Sequence, residues 1–97
     1  PPFSSLIAII VSGTSNIHVE KESVKLANMI KKRFSHINIY GPAPALLNKI
    51  RKNYRWRILI KIDKGDSFRD KLKTFLLNII SPRDINFKVD VDPLTFF

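Results

Sequence analysis

The stretch Tyr54-Arg55-Trp56-Arg57-Ile58-Leu59-Ile60-Lys61-Ile62 alternates between two kinds of side chain. Side chains of a β-strand point alternately to opposite faces. One face would therefore carry Tyr54, Trp56, Ile58, Ile60 and Ile62, and the other Arg55, Arg57, Leu59 and Lys61. The first set can close a hydrophobic core, and the second can offer cations to phosphate or carboxylate. The stretch predicts a long strand with one buried face and one basic face.

The segments before this strand predict a strand, a helix and a second strand. Leu6–Val11 is a short stretch whose side chains would be apolar on both faces of a strand, as in a central strand. The segment 17–34 has helical period. Ile37–Tyr40 alternates, and we expect Gly41-Pro42-Ala43-Pro44-Ala45 to end it as a rigid, polyproline-like loop, followed by a short turn over residues 46–50. The apolar face of the helix is predicted to hold Val19, Ser23, Leu26, Ala27, Ile30 and Phe34.

The segments after the strand predict a second helix and a fourth strand. Asp66 or Ser67 can cap the helix, which we expect to end near Ile80. Residues 85–92 alternate again and predict a strand that Pro93 closes. The order β-α-β-β-α-β predicts an α+β, ferredoxin-like fold: a four-stranded antiparallel sheet with both helices on one face. The apolar face of the second helix is predicted to hold Phe68, Leu72, Phe75, Leu76 and Ile79, and the open sheet face Arg55, Arg57, Lys61, Lys88, Asp90 and Asp92.

Length and composition indicate one globular domain over residues 1–97, with 44% hydrophobic residues and a net charge of +9. Such a charge favours a polyanionic partner, although it would also follow from lysine-rich codon usage and solubility. The absence of cysteine excludes disulfides and Cys-type zinc sites and favours a cytoplasmic location. No apolar run approaches the length of a membrane span, so we expect no membrane partner. Because the chain begins Pro1-Pro2-Phe3 without Met, we expect a piece of a longer protein.

Catalytic motifs are missing from the sequence. It contains neither a phosphate-binding loop G-x-x-x-x-G-K-[ST] nor a nucleophile motif G-x-S-x-G. His18 and His36 have no carboxylate or cysteine at ligand spacing, and we expect both at the surface. Asp90 and Asp92 could hold a cation, but strand-end partners for Arg or Lys are the expected role. The sequence predicts no catalytic residue and no metal site.

The charge is concentrated between residues 49 and 64, which hold seven cations against one aspartate. Clusters of this kind bind a phosphate backbone by neutralising charge and releasing counterions. Tyr54 and Trp56 could stack on bases, but their shared parity with Ile58 and Ile60 favours a place in the core. The predicted DNA-binding residues are Lys49, Arg51, Lys52, Arg55, Arg57 and Lys61.

Four motifs, in order, resemble the C-terminal domain of the PriA family of primosomal replication-restart helicases (primosomal protein N′). They are Pro1-Pro2-Phe3-Ser4, Gly41-Pro42-Ala43-Pro44-Ala45, Tyr54-Arg55-Trp56-Arg57-Ile58-Leu59-Ile60-Lys61 and Val89-Asp90-Val91-Asp92-Pro93. The resemblance covers essentially all of the chain. It departs from the family at Lys52-Asn53, where the family often has Arg-Gly, in a longer loop from Asp63 to Ser67, and in the apolar end from Leu94 to Phe97.

The resemblance implies a non-catalytic domain, similar in fold to a small-subunit ribosomal protein, within a bacterial ATP-dependent 3′–5′ DNA helicase that restarts stalled forks. ATP, magnesium and zinc would belong to the rest of that protein. Implied partners are branched and single-stranded DNA, the helicase lobes, other primosome proteins and the acidic tail of single-stranded DNA-binding protein. Cations near Phe68 are the expected receptor of that tail, namely Lys64, Arg69 and Lys73.

Two other functions remain open at this point. The fold and charge also suit an RNA-binding or ribosome-associated ferredoxin-like domain, although the aromatic pattern of RNA-recognition motifs is missing from the central strands. A small-metabolite enzyme or regulatory domain is the other alternative. The lack of an acid/base pair and of a glycine-rich loop counts against it.

Overall fold

Four strands and two helices alternate in the predicted β-α-β-β-α-β order in a computed structural model, which describes residues 4–63, 67–79 and 82–91. The strands form one sheet in the order β2-β3-β1-β4, with every neighbouring pair antiparallel. This confirms the ferredoxin-like α+β fold. The elements are β1 (Ser4–Gly13), α1 (Asn16–Arg33), β2 (Asn38–Ile50), β3 (Asn53–Asp63), α2 (Phe68–Leu77) and β4 (Ile85–Val91).

The hydrophobic core lies between one face of the sheet and both helices. Alternate residues of β1 and β3 are buried there, among them Ile7, Ile9, Ile58 and Ile60. Because β1 and β3 are the two central strands, both have a neighbour on each side and their inner faces are fully covered. The predicted parity of β3 is confirmed: the aromatic and isoleucine positions face the helices and the cationic positions face away.

Helix α1 buries the predicted face. Ser15 is the N-cap, and its Oγ accepts a hydrogen bond from the backbone N–H of His18 at 3.3 Å. The buried Ser23 is satisfied within the helix, because its hydroxyl donates to the carbonyl of Val19 at 2.7 Å. All six residues of the predicted face are buried: Val19, Ser23, Leu26, Ala27, Ile30 and Phe34.

Helix α2 is shorter than predicted. Ser67 is the N-cap, but the helix ends at Leu77 rather than near Ile80. Asn78 is the C-cap, where the backbone N–H donates to the carbonyl of Phe75 at 3.2 Å and the side-chain amide donates to the carbonyl of Thr74 at 3.0 Å. The predicted apolar face does point to the core, and its first two residues, Phe68 and Leu72, are fully buried. The later positions Phe75, Leu76 and Ile79 are half-buried against the core.

The extent of β2 was predicted wrongly. Gly41-Pro42-Ala43-Pro44-Ala45 does not end the strand, and residues 46–50 are not a turn, since β2 continues through both to Ile50. The strand tolerates two prolines because it is the sheet edge, where an outward-facing position needs no backbone donor. The pairing register with β3 shifts at two places, between Tyr40 and Ala43 and between Pro44 and Lys49. The extra residues are accommodated there as bulges.

Candidate nucleic-acid interface

Strand β3 carries three of the predicted DNA-binding cations on the sheet face that the helices leave open. Arg55, Arg57 and Lys61 share this face because they lie an even number of residues apart. Arg55 and Lys61 are about 20 Å apart along the strand at ~3.3 Å per residue. In the described part of the chain, no carboxylate lies within ion-pair distance of Arg57 or Lys61. Arg57 and Lys61 are therefore available to an external anion.

The hairpin between β2 and β3 holds two more predicted cations. Ile50 pairs with Asn53, so Arg51 and Lys52 form a two-residue turn, and both side chains are exposed. Arg51 has a φ of 57°, a left-handed conformation that costs a side chain energy and that glycine adopts freely. Arg51 thus places a positive charge at the tip of the hairpin, although its backbone conformation is unfavourable for a residue with a side chain.

Lys49 lies apart from the other predicted cations. It pairs with Tyr54, which points to the helix side of the sheet, and its Nζ lies 5.1 Å from the centroid of the Tyr54 ring. This is a cation–π distance. Of the six candidates, three thus share the open face, two form the hairpin tip and Lys49 projects from the opposite side.

A bulge in β2 forms two hydrogen bonds with Arg55. The pairs Pro44–Trp56 and Lys49–Tyr54 leave residues 45–48 opposite Arg55. The side-chain amide of Asn48 donates to the carbonyl of Arg55 at 2.7 Å, and Nη1 of Arg55 donates to the carbonyl of Leu47 at 3.4 Å. Arg55 is therefore partly engaged by its own hairpin.

Apolar side chains lie among the cations of the open face. The register places Tyr40, Leu59, Ala8 and Asp90 side by side across the four strands, and Arg57, Ile10 and Lys88 side by side in the next row. Lys88 and Asp90 thus lie on the open face, as predicted. Ala8 and Ile10 are 3% and 5% exposed, although both helices lie on the other face. Long neighbours such as Arg57 and Lys88 can cover them with their aliphatic stems.

Tyr40 was not among the predicted site residues. It is 52% exposed and belongs to the open face through its pairing with Leu59. The sequence shows that Tyr40 and Ile39 point to opposite faces of the strand. It does not show which cations lie beside Tyr40, because that depends on the pairing of β2 with β3. That pairing passes through the bulge at Gly41 and Pro42.

The two aromatic residues of β3 lie on the core side, as their parity predicted. Trp56 is 9% exposed, and its Nε1 donates to Oδ1 of Asn16 at 2.9 Å, at the first residue of α1. Tyr54 is half-buried and packs against the core. Neither ring is presented to the open face.

Cations predicted to bind the acidic tail are only partly brought together. Lys64 lies outside the described residues, whereas Arg69 and Lys73 are both exposed on α2. Phe68 offers no exposed slot, because it is fully buried with its ring centroid 4.8 Å from that of Phe34. Lys73 instead borders a groove of about 360 Å³ between α2 and β4. The apolar part of that groove is formed by Leu76, Leu77, Ile79, Ile85, Phe87 and Val89.

The prediction that no carboxylate lies at ligand spacing from His18 was wrong, because Glu22 is four residues along the same helix and Asp84 reaches it from the turn before β4. Nδ1 of His18 lies 2.9 Å from Oδ2 of Asp84, and its Nε2 lies 3.9 Å from Oε2 of Glu22. The hydrogen bond with His18 holds the pKa of Asp84 below its ordinary value. The contact joins the start of α1 to the turn before β4, which assigns His18 a structural role. His36 is exposed, as predicted.

Neither a metal-ligating cluster nor a membrane-spanning helix occurs among the described residues. Within ranges 4–63, 67–79 and 82–91, no three His, Cys, Asp or Glu side chains are grouped so that they could hold a metal ion. None of the helices described there is long and apolar enough to cross a membrane.

The fold defines a ferredoxin-like α+β domain with one face covered by helices and one basic face left open. The chain belongs to the family described as the primosomal protein N C-terminal domain, whose model matches residues 1–94. The resemblance found in the motifs is thus confirmed.

Curated relatives carry the name replication restart protein PriA. The chain is 36% identical over 97 residues to the proteins of Rickettsia typhi and Rickettsia prowazekii, and 31% identical over 100 residues to that of Synechocystis. All of this chain aligns with the two rickettsial proteins, and 98% of it with the cyanobacterial one. It spans 15% of the length of the former and 11% of the latter.

Proposed function

We propose that this chain is the non-catalytic DNA-binding domain of a replication restart protein. The observation that carries the proposal is the row of Arg55, Arg57 and Lys61 on an open sheet face, continued at the hairpin tip by Arg51 and Lys52. A row about 20 Å long can neutralise several successive phosphates, and counterion release would then drive binding.

The net charge supports a polyanion as the partner. At +9 on 97 residues, the domain attracts DNA over a distance set by ionic strength. DNA rather than RNA is the partner that agrees with the names of the relatives, all of which refer to replication restart. Branched and single-stranded DNA at a stalled fork are the forms that we expect it to bind.

The rest of the protein would supply the catalysis. Because the chain spans only 15% of its rickettsial relatives, we propose that it is joined to helicase lobes that use ATP and magnesium to unwind DNA 3′ to 5′, and to a zinc-binding segment. The whole protein would act in the cytoplasm with other primosome proteins. This domain would hold the DNA while the lobes move along it.

The first prediction concerns the hairpin tip. Replacing Arg51 and Lys52 together by Ala should weaken binding of the 97-residue chain to forked, single-stranded and duplex DNA. A plot of log K against log salt should flatten by roughly 0.7–0.9 units for each phosphate that the variant no longer neutralises. Fluorescence anisotropy across a series of salt concentrations measures both quantities.

A matched control removes two cations from the other side of the molecule. Lys31 and Lys32 are exposed in the last turn of α1, on the helix side of the sheet, and their replacement by Ala changes the net charge by the same amount. This control should lower affinity only slightly. If both double variants have the wild-type salt slope, or if both flatten it equally, the basic face is not the DNA site.

We further propose that α2 contributes to a receptor for the acidic tail of single-stranded DNA-binding protein. A tail that ends in aspartates, an aromatic ring and a free carboxylate needs cations beside an apolar slot. Arg69 and Lys73 are four residues apart and share one side of α2, and Lys73 borders the apolar groove. Lys64 would be the third cation, and the helicase lobes would complete the pocket.

The second prediction reverses the charges of this receptor. In the full-length protein, the combined change Lys64→Glu and Arg69→Glu should weaken binding of a tail peptide by at least ~10-fold, since a hydrogen bond to a charged group contributes about 1.5–3 kcal/mol. Affinity for DNA should change much less. The control on the same helix is Lys71→Glu, which reverses the charge of one exposed lysine on the opposite side. If the double variant binds the peptide with unchanged affinity, Lys64 and Arg69 do not belong to the receptor for the tail.

A further inference from the structure

Tyr40 is a large aromatic side chain exposed among cations. It lies on the open face, 52% exposed, whereas Trp56 on the other face is 9% exposed. An aromatic ring left in water gives up the free energy that its burial would supply. The described part of the chain leaves about half of its surface uncovered, which makes Tyr40 a surface for a ligand with a flat apolar face.

The surroundings of Tyr40 indicate the kind of ligand. Tyr40 pairs with Leu59, and Leu59 pairs with Ala8, so the ring lies beside two apolar residues; the row ends at Asp90 on β4, three strands away from Tyr40. Arg57 and Lys61 lie two residues from Leu59 along β3, one on each side. At ~3.3 Å per residue, each cation is displaced by about 7 Å from the row of Tyr40. A base stacked on Tyr40 would therefore have a cation near the phosphate on either side of it.

The backbone next to Tyr40 forms a tight bulge that leaves no room for a side chain at Gly41. Tyr40 pairs with Leu59 and Ala43 pairs with Arg57, so Gly41 and Pro42 together oppose Ile58. Gly41 has a φ of 95°, and a Cβ added there would lie 2.9 Å from the carbonyl oxygen of Arg57. Only glycine fits this bulge. A bulge redirects the side chains around it, and here it sets Tyr40 beside the basic row.

We infer that Tyr40 is a stacking platform for an unpaired base of single-stranded DNA. The inference rests on the proposed function and deepens it by assigning a preference for single strands to one side chain. The faces of bases in a duplex are already stacked on one another, so an exposed ring can reach only an unpaired base. The phosphates on either side bind Arg57 and Lys61, whose contacts do not discriminate between strands.

The test compares two substitutions of Tyr40 in the 97-residue chain. Tyr40→Leu should weaken binding to oligothymidylate by about 5- to 100-fold, the range measured when one base–aromatic stack is removed, and should change duplex affinity less than about 2-fold. Tyr40→Phe retains the ring and should bind single strands nearly as wild type does. Both variants should melt like wild type, because Tyr40 lies outside the core cluster.

A second measurement isolates stacking from phosphate binding. An oligonucleotide with the same number of phosphates but abasic sugars should bind wild type about as weakly as oligothymidylate binds Tyr40→Leu. The substitution should then have no further effect. Ultraviolet cross-linking of halogenated oligodeoxyuridylate should also place the adduct on Tyr40. An equal loss of affinity for single strands and duplex, or an unchanged affinity of Tyr40→Leu for oligothymidylate, overturns the inference.

The outcomes also separate this inference from the proposed function. If the domain binds DNA through Arg57 and the hairpin tip but Tyr40→Leu is neutral, only the stacking role fails. If neither single-stranded nor duplex DNA binds to the wild-type chain, the proposed function fails and the stacking role fails with it.

Discussion

Trp56→Ala is expected to destabilise the domain by about 3–5 kcal/mol, the usual cost of truncating a buried aromatic residue to Ala. Trp56 packs in the core with Ile58 and Val11, and its indole closes the end of the core beside the start of α1. A small domain has a free energy of unfolding near the lower end of about 5–15 kcal/mol. We therefore expect the variant to be largely unfolded, without a near-ultraviolet circular dichroism signal and without a cooperative thermal transition.

Two milder substitutions divide this cost between packing and hydrogen bonding. Trp56→Phe retains most of the apolar volume but removes Nε1, and Asn16→Ala removes only its acceptor. Each should cost about 1 kcal/mol and leave a cooperative transition. A Trp56→Ala variant that melts like wild type but no longer binds DNA would show that Trp56 is a binding residue and not a core residue.

Phe68→Ala is expected to cost a similar ~3–5 kcal/mol. Phe68 is fully buried at the first residue of α2, with edge-to-face contacts to the rings of Phe34 and His36 at 4.8 Å and 5.9 Å. Such aromatic pairs add about 0.5–1.5 kcal/mol to the burial of the ring. The same ring fixes the start of the helix that carries Arg69 and Lys73. Chemical denaturation of the variant should show a midpoint near zero denaturant.

The control for Phe68 lies on the same helix. Leu77 is 86% exposed at the last residue of α2, and Leu77→Ala should change the free energy of unfolding by less than about 0.5 kcal/mol. Phe68→Leu should fall between the two, because it retains apolar contact but removes the ring pairs. Equal stability of Phe68→Ala and Leu77→Ala would contradict the packing described for α2.

Local periodicity accounts for the parts of the fold that were predicted correctly. The period of two in β3 and the period of ~3.6 in α1 depend only on neighbouring residues and on which side chains avoid water. They assigned Trp56 to the core and Arg57 to the opposite face without knowledge of any contact. The order of elements then left few topologies, because helices need a sheet face to cover and short connections favour neighbouring strands.

The incorrect predictions arise where a distant strand or a single side chain changes what a local signal means. Prolines ordinarily end a strand, but β2 is an edge, so Pro42 and Pro44 can remain in it. No carboxylate was predicted beside His18, yet Asp84 reaches it from 66 residues away. The apolar period did not reveal the end of α2 at Leu77, because Ile79 continues the period and packs against the core although it lies beyond the helix.

The sequence by itself determined the class of fold, the buried face of β3 and α1, and the concentration of cations between residues 49 and 64, because each of these is a property of neighbouring residues. Only the tertiary structure decided which of those cations share a surface. The pairing register moved Lys49 to the other side and brought Tyr40 beside Arg57 and Lys61. Register is set by hydrogen bonds and packing between strands, together with the bulge at Gly41, and no single segment contains that information.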